Sequence, residues 1–148
     1  MINSRELTEL HPRIAALALR LIEESKKQGV DLLITSTFRD IESQNALYRI
    51  GRNIKGAGIT KSRPMGNIVT NASGGQSFHN WRVAFDFVPI VAGKAMWNNI
   101  AMFKMVGAIG KSLGLEWAGD WKGMKEMAHF QLTDGLTIKD FQAGKVLA

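Results

Sequence analysis

The sequence predicts an α+β fold in which helices pack on one face of a small antiparallel sheet. Two segments carry apolar residues at the three- and four-residue spacing of helices, and several short β-branched or alternating runs indicate strands. These elements follow one another without a regular alternation or an internal repeat, which favours segregated helices and strands. The chain has 148 residues, the ordinary size of one domain, so we expect a single domain over residues 1–148.

The first helix is predicted to begin after a cap at Ser4 or Thr8 and to end near Gly29, because glycine suits the residue that follows a helix. Its apolar residues recur at helical spacing at Leu7, Leu10, Ile14, Leu17 and Leu21. The run from Val30 to Phe38 predicts a largely buried strand. Residues Ile41 to Ile50 then predict a second, short helix.

Residues 51–76 lose this periodicity and contain six glycines and four basic residues. We interpret them as a long basic loop. Loops of this length in compact domains are usually functional or mobile, so the segment predicts either one flank of a cleft or a mobile linker.

The second half of the chain alternates helical and strand patterns. Val83–Val88 predicts a strand that ends at Pro89, and Lys94 to Leu113 returns to helical spacing before Gly114. Three further short elements are predicted, namely strands at 115–117 and 129–132 and a helical turn at 137–141.

The composition limits the function classes without selecting one. Lys and Arg exceed Asp and Glu by 19 to 13, a formal charge of +6, which favours polyanionic partners such as nucleic acid, anionic membrane or a bacterial envelope. The basic residues form no long run, so a plain solubility charge explains them equally well. The chain has no cysteine, which excludes disulfides and leaves only His, Asp and Glu to hold a zinc ion.

The hydrophobic runs predict neither a targeting segment nor a membrane span. The first residues lack the apolar region of a secretory signal, and no apolar stretch approaches the roughly 18 residues that cross a bilayer. We therefore expect a protein made in the cytoplasm that another component must release if it acts outside the inner membrane.

Chemistry is most strongly indicated by histidines and carboxylates. His11, His79 and His129 are the three histidines, and each alone is more often structural than a ligand. Asp86 lies within an apolar strand, where a carboxylate is costly to bury unless it is paired or bound to a metal. The seven-residue step from His79 to Asp86 allows the chain to turn and direct both side chains into one cleft.

A second histidine from a distant strand, His129, would complete a set of two imidazoles and one carboxylate. With water in the fourth position, this set is typical of a catalytic zinc. Glu126, three residues before His129, is well placed to exchange a proton with that water, although a solvated loop carboxylate is the simpler alternative.

The pattern Ser77-x-His79-x(6)-Asp86, followed by Glu126-x-x-His129, resembles the signature of the M15 zinc peptidases. That family comprises D,D-carboxypeptidases, D-Ala-D-Ala dipeptidases and L-alanyl-D-glutamate endopeptidases. Residues 36–48 are similar to an upstream block of the family that faces the substrate. The resemblance spans about residues 30–132 and implies the Hedgehog/D,D-peptidase fold, with helices on one face of a small antiparallel sheet.

The resemblance implies a role for each matching residue. The implied zinc ligands are His79, Asp86 and His129. Glu126 would be the general base and acid, and Arg39 would stabilise the carbonyl oxygen or a substrate carboxylate. Gln44 and Ser77 would form hydrogen bonds to the substrate or around the site. A salt bridge to Asp40 or Glu42 remains the alternative for Arg39.

Two departures from the family pattern bear on shape and subfamily. Many members carry glycine four residues before the aspartate, where this chain has Arg82. Many members of the endopeptidase branch carry aspartate where this chain has Glu126, a residue that also occurs in the dipeptidase branch.

The compact, basic, cysteine-free chain is similar to phage and prophage endolysins of the L-alanyl-D-glutamate peptidase type. The expected substrate is therefore the stem peptide of bacterial peptidoglycan, with zinc as cofactor, no specific nucleic acid partner and a monomeric state. One alternative is a D,D-carboxypeptidase or D-Ala-D-Ala dipeptidase that uses the same metal. The other is a non-catalytic basic binding module that stacks bases on its tryptophans, which are Trp81, Trp97, Trp117 and Trp121.

Overall fold

The computed structural model describes residues 1–52, 69–122 and 126–148, which form an antiparallel sheet and a set of helices. The α-helices are α1 Pro12–Lys27, α2 Ile41–Arg49, α3 Ile100–Ser112 and α4 Ile138–Gln142. The strands are β1 Asp31–Ser36, β2 Ala84–Val91, β3 Lys94–Ala95, β4 Glu116–Trp117 and β5 His129–Gln131. Short 3-10 turns occupy Leu7–Glu9, Phe78–Trp81 and Ala118–Asp120.

The sheet is antiparallel at every pairing and runs in the order β1-β2-β5-β4, with β3 paired to the far end of β2. The central β2 is the longest strand. The mixture of helices with an antiparallel sheet confirms the predicted α+β class.

The two faces of the sheet have opposite characters. Phe85 and Phe87 of β2 and Phe130 of β5 are fully buried, with ring centroids 5.5 and 5.1 Å from Phe130 to the two β2 rings. They meet the apolar sides of α1 and α3, and Phe103 lies 5.4 Å from Phe87. Because successive strand residues point to opposite faces, the residues between these phenylalanines face away from the helices.

The predicted cap of the first helix was wrong. α1 begins at Pro12, and the Nδ1 atom of His11 caps it by accepting a hydrogen bond from the Arg13 N–H at 3.1 Å. Proline favours the first helical position, where its missing N–H costs nothing. Ser4 instead exchanges backbone hydrogen bonds with Thr37 and Phe38. The predicted end is confirmed, since Gly29 follows the helix with a φ of +83°.

The predicted boundaries after β2 were also wrong. β2 continues through Pro89, whose carbonyl accepts from Met96 at 2.8 Å on the side facing β3. The proline nitrogen points to that same side, so no ladder bond to β1 is lost. Ala92 and Gly93 then form a turn with φ of 51° and 75°, as two-residue hairpins require.

Residues 94 and 95 therefore belong to a hairpin strand rather than to the predicted helix. α3 begins six residues later, where the side chain of Asn99 accepts from the Met102 N–H at 3.1 Å. The first strand is confirmed in position but is half-buried, because β1 lies at the sheet edge and Leu33 is 43% exposed.

The predicted basic loop falls largely on residues 53–68, which lie outside the described residues. Its last part, from Val69 to Gln76, contributes to the wall of the cleft described below. Among the residues that the structure describes, no helix combines the length and apolarity needed to span a bilayer.

A glycine in α3 lets the helix lie close to the sheet. A Cβ atom at the buried Gly110 would overlap the Phe130 ring. We expect Gly110→Ala to lower the free energy of unfolding by about 1–3 kcal/mol through overpacking, despite alanine's better helix propensity.

Urea unfolding measures this difference. Lys104→Ala, at an exposed position of the same helix, is the control and should change stability by less than about 0.5 kcal/mol. Adding Phe130→Leu to Gly110→Ala should cost less than the sum of the single changes. Strict additivity would show that the ring and the helix backbone do not collide.

Candidate metal centre

A cleft of about 510 Å³ opens on the sheet face opposite α1 and α3. Its floor is formed by side chains of β2 and β5, and one wall by residues 69–78. Among the lining residues are Arg39, Ser77, His79, Asp86, Glu126 and His129. All but one of the residues singled out from the sequence thus line the same cleft.

Three of these side chains converge on one point. One ligand atom from each of His79, Asp86 and His129 lies within 4.8 Å of the others. The Oδ1 atom of Asp86 is 3.1 Å from His79 Nε2 and 3.1 Å from His129 Nδ1. Asp86 and His129 are directly paired across β2 and β5, so the strand register alone brings them together.

His79 reaches the centre from a short 3-10 turn with two side-chain caps. The Ser77 hydroxyl accepts from the His79 N–H at 3.3 Å, and the Asn80 side-chain carbonyl accepts from the Ser77 N–H at 3.1 Å. The Asn80 amide nitrogen donates to the Arg39 carbonyl at 2.8 Å. Asn80 therefore ties the His79 turn to the segment that follows β1.

The outward nitrogen of each imidazole also has a partner. His79 Nδ1 lies 2.8 Å from the Thr37 carbonyl oxygen, and His129 Nε2 lies 2.9 Å from Oε1 of Gln131. Because these partners are hydrogen-bond acceptors, they suit rings that carry their hydrogen on the outer nitrogen, which is the form that a metal ligand requires. The inner nitrogens then present lone pairs towards the Asp86 carboxylate.

The chemistry of the three converging donor atoms shows whether a metal ion would fit between them. Two neutral imidazole lone pairs and a carboxylate are all acceptors, so they repel one another unless a proton or a cation lies between them. Histidine ligands of metals typically donate their other ring N–H to a carbonyl or carboxylate, as both do here. The donor set therefore suits a divalent cation, and nitrogen with oxygen ligands suits zinc.

The electrostatics agree with a site that attracts positive charge. Burial alone would raise the pKa of Asp86, but the adjacent His79 and His129 outweigh it and hold that pKa well below its ordinary value. Burial lowers the pKa of His129, yet its hydrogen bond and charge attraction to Asp86 raise it overall. The carboxylate is thus kept ionised beside the imidazoles.

Arg39 lies beside this centre and is almost fully buried. Its guanidinium donates to Gln44 Oε1 at 2.8 Å and to the Ser36 hydroxyl at 3.0 Å, and lies 3.8 Å from Asp86 Oδ2. Burial lowers its pKa, while Asp86 and Glu126 oppose that shift. Asp40 instead caps α2, so the alternative of a helix-start salt bridge for Arg39 is not what the structure contains.

Gln44 and Ser77, both predicted to form hydrogen bonds to the substrate or around the site, differ in position. Gln44 is fully buried, and its amide nitrogen donates to the Ala72 carbonyl at 2.7 Å while its oxygen accepts from Arg39. Both ends of Gln44 are therefore occupied, and it supports Arg39 instead of facing the cleft. Ser77 does line the cleft, although its hydroxyl also caps the His79 turn.

Glu126 lies at the edge of the metal centre. Its Oε2 atom is 3.7 Å from His129 Nδ1, and the side chain is 40% exposed. The other nearby carboxylates are engaged elsewhere, since Glu116 accepts from the Thr133 N–H and Asp120 pairs with Lys111. Among the described residues that line the cleft, Glu126 is thus the carboxylate available besides the proposed ligand Asp86.

Arg82, which departs from the family's glycine, adopts a φ of 63°. This left-handed conformation explains why glycine is favoured at the position. The Arg82 guanidinium donates to the Glu9 carboxylate at 2.7 Å and lies 3.8 Å above the Phe38 ring. These contacts offset the strain, and the chain still directs Asp86 into the cleft.

Sequence reasoning missed Gln131 and Asn80, and it considered Trp121 only as one of four tryptophans. Gln131 could have been found from the strand period, because residues two apart on β5 share a face. Trp121, whose ring centroid is 5.6 Å from that of His129, lies in an irregular segment without a periodic signal. Asn80 could have been suspected only as part of a capping box.

The tryptophans provide little support for a base-stacking surface. Trp117 is buried, Trp81 stacks on Phe141, and Trp121 lines the cleft beside His129. Trp97 is 54% exposed and follows β3 by two residues. The four rings therefore do not form one platform.

Comparison with known proteins agrees with this geometry. The VanY family model, described as D-alanyl-D-alanine carboxypeptidase, matches residues 7–129. The peptidoglycan L-alanyl-D-glutamate endopeptidase CwlK of Bacillus subtilis strain 168 is 35% identical over 134 residues, covering 84% of this chain and 74% of that protein. The L-alanyl-D-glutamate peptidase of Listeria phage A118 is 29% identical over 127 residues, covering 84% of this chain but 38% of the phage protein.

A solved structure shares the fold at low sequence identity. A mutant of the vancomycin-resistance D,D-pentapeptidase VanY from a VanB-type cassette, in complex with Zn(II), superposes with a TM-score of 0.61 at 16% identity. The match covers 90% of this chain and 83% of that one. With a family model that matches most of its length and a relative 35% identical, this chain belongs to the VanY family of M15 peptidases, as its sequence motifs predicted.

Proposed function

We propose that this protein is a zinc-dependent peptidase that cleaves the L-Ala–D-Glu bond in the stem peptide of bacterial peptidoglycan. The convergence of His79, Asp86 and His129 on one point in an open cleft carries the proposal. The two relatives named as L-alanyl-D-glutamate peptidases support the substrate, and the neighbour in complex with Zn(II) supports the metal. The peptidase activity belongs to one domain over residues 1–148.

Each residue of the site has a distinct role in the proposed hydrolysis. His79 Nε2, His129 Nδ1 and the Asp86 carboxylate would hold zinc, which supplies a Lewis acid and lowers the pKa of water at the site. Glu126 accepts the proton of the attacking water and delivers it to the departing amine of D-Glu. Arg39 contributes a fixed positive charge that stabilises the carbonyl oxygen or binds a substrate carboxylate.

The choice of scissile bond rests on sequence likeness. The family model and the structural neighbour carry names of D,D-peptidases, whereas both curated relatives described above act on L-alanyl-D-glutamate. The relative at 35% identity covers most of both chains, so we favour its reaction over D,D-carboxypeptidase activity. The same ligands and Glu126 would serve either reaction.

We propose a lytic role on the cell wall, as an endolysin, since one relative is a peptidase of a bacteriophage. The net charge of +6 favours attraction to the anionic envelope. We propose that the enzyme works as a monomer on the periplasmic side, after release by another component.

Metal analysis provides the first test. We expect about one zinc per purified chain, as for three-ligand catalytic sites, and its loss in His79→Ala and His129→Ala, measured by mass spectrometry of the metal. His11→Ala is the matched control, because His11 caps α1 and should leave zinc content unchanged. Full zinc content in both site variants would refute the ligand assignment.

Replacing the proposed base separates binding from turnover. Glu126→Ala should keep its zinc while turnover falls by about two orders of magnitude or more, as expected for a lost general base. Asp120→Asn, which breaks only the ion pair with Lys111, should retain wild-type turnover. Unchanged turnover in Glu126→Ala would move the base to another group.

Digestion of purified peptidoglycan identifies the bond. Mass spectrometry of the products should reveal new L-Ala carboxyl ends and new D-Glu amino ends. The Glu126→Ala protein provides the blank. Released D-Ala from an otherwise intact stem would instead establish the D,D-carboxypeptidase alternative.

A further inference from the structure

Gln131 lies on the cleft floor directly behind one proposed metal ligand. It follows His129 by two residues on β5, so both side chains point into the cleft while Phe130 between them enters the core. Its Oε1 atom is 2.9 Å from His129 Nε2, and the residue is only 5% exposed. The family resemblance assigned it no role.

This contact determines which nitrogen of the neutral His129 ring carries the hydrogen. A neutral imidazole carries one N–H, and a nitrogen that donates its lone pair to a metal cannot carry it. His129 directs Nδ1 at the metal centre, 3.1 Å from Asp86 Oδ1, so its hydrogen must be on Nε2. Nε2 is buried and needs an acceptor, and the Gln131 carbonyl oxygen is placed to be one.

Removing that acceptor would favour the wrong ring form. If the hydrogen moves to Nδ1, Asp86 Oδ1 at 3.1 Å and Glu126 Oε2 at 3.7 Å are both acceptors for it. That form has no lone pair facing the site. Gln131 therefore favours the ring form with hydrogen on Nε2 over the form with hydrogen on Nδ1, which the two carboxylates would stabilise.

The backbone around Gln131 is suited to hold it in place. Gln131 is paired with Ala84 of β2 on one side and with Glu116 of β4 on the other. Because β5 is paired on both sides, the Cα atom of Gln131 is held in place, which limits the positions that its side chain can reach. For His79, by contrast, the acceptor of the outer ring N–H is the Thr37 backbone carbonyl. A backbone carbonyl cannot be removed by a side-chain substitution, so of the two acceptors only Gln131 can be tested in this way.

Resting on the proposed function, we propose that Gln131 is a positioning residue that fixes His129 with its hydrogen on Nε2 and thereby sets the affinity of the site for zinc. Partners of this kind, behind a metal ligand, typically change metal affinity by 10–100-fold when they are removed. Gln131 does not touch the metal and acts through His129.

The test compares two replacements of similar size. Gln131→Met removes the acceptor, and Gln131→Glu keeps one. Zinc affinity is measured by competition with a chromophoric chelator, using Zn²⁺ alone and no substrate. We expect Gln131→Met to bind zinc about 10–100-fold more weakly than the wild type, and Gln131→Glu to restore most of that loss.

Controls separate this role from packing. Thr133→Val removes a buried hydroxyl two residues further on, which contacts Glu116 and not His129, and should leave zinc affinity unchanged. Urea unfolding of the metal-free proteins reports whether the variants are folded. If Gln131→Met does not fold, Gln131→Asn serves instead, because its shorter amide withdraws the oxygen from Nε2.

Each outcome bears on a different claim. A wild type that binds zinc, with Gln131→Met equally tight, overturns the role of Gln131 and leaves the proposed peptidase intact. A Gln131→Glu variant as weak as Gln131→Met also overturns it, since an acceptor would then make no difference. A wild type that binds no zinc refutes the proposed function and this inference together.

Discussion

A partly buried carboxylate facing two imidazoles is the constraint on which the site depends. Among the described residues, the Asp86 carboxylate contacts His79, His129 and Arg39, and the imidazole nitrogens that face it are acceptors when each ring carries its hydrogen on the outer nitrogen. Such a group is costly to bury unless positive charge compensates it. A cation bound between them satisfies all three side chains at once.

The sheet supplies the geometry that this constraint requires. The buried phenylalanines of β2 and β5 hold one face against α1 and α3, and the period of two then places Asp86, His129 and Gln131 on the other. A slip of one residue in the pairing of β2 with β5 would exchange core and site side chains together. The hydrophobic core therefore specifies the register of the metal centre, although its residues lie on the opposite side of the sheet.

Much of this arrangement could be predicted from the sequence. The helical spacing of α1 and the alternation around Asp86 are local signals, and the placement of His79, Asp86 and His129 in one cleft followed from motif resemblance. The hairpin at Ala92–Gly93 could not be predicted, because its positive φ at Ala92 is imposed by pairing with β2 and not by residue type. For Gln44 the sequence left open a hydrogen bond to the substrate or one around the site, and tertiary packing turns both ends of its amide to Arg39 and Ala72.

The network around Arg39 explains how one metal centre can serve different peptides within the family. The Gln44 contacts fix the guanidinium relative to Ala72, and Asn80 joins the Arg39 backbone to the His79 turn. The proposed ligands and the positive charge are thus joined in one hydrogen-bonded unit. Selection among stem-peptide bonds must then come from groups that border this unit without belonging to it, such as Trp121 beside His129 and the wall at 69–76. Because substrate discrimination depends on differences in transition-state binding, sequence change in those walls can redirect the enzyme while the catalytic centre stays constant.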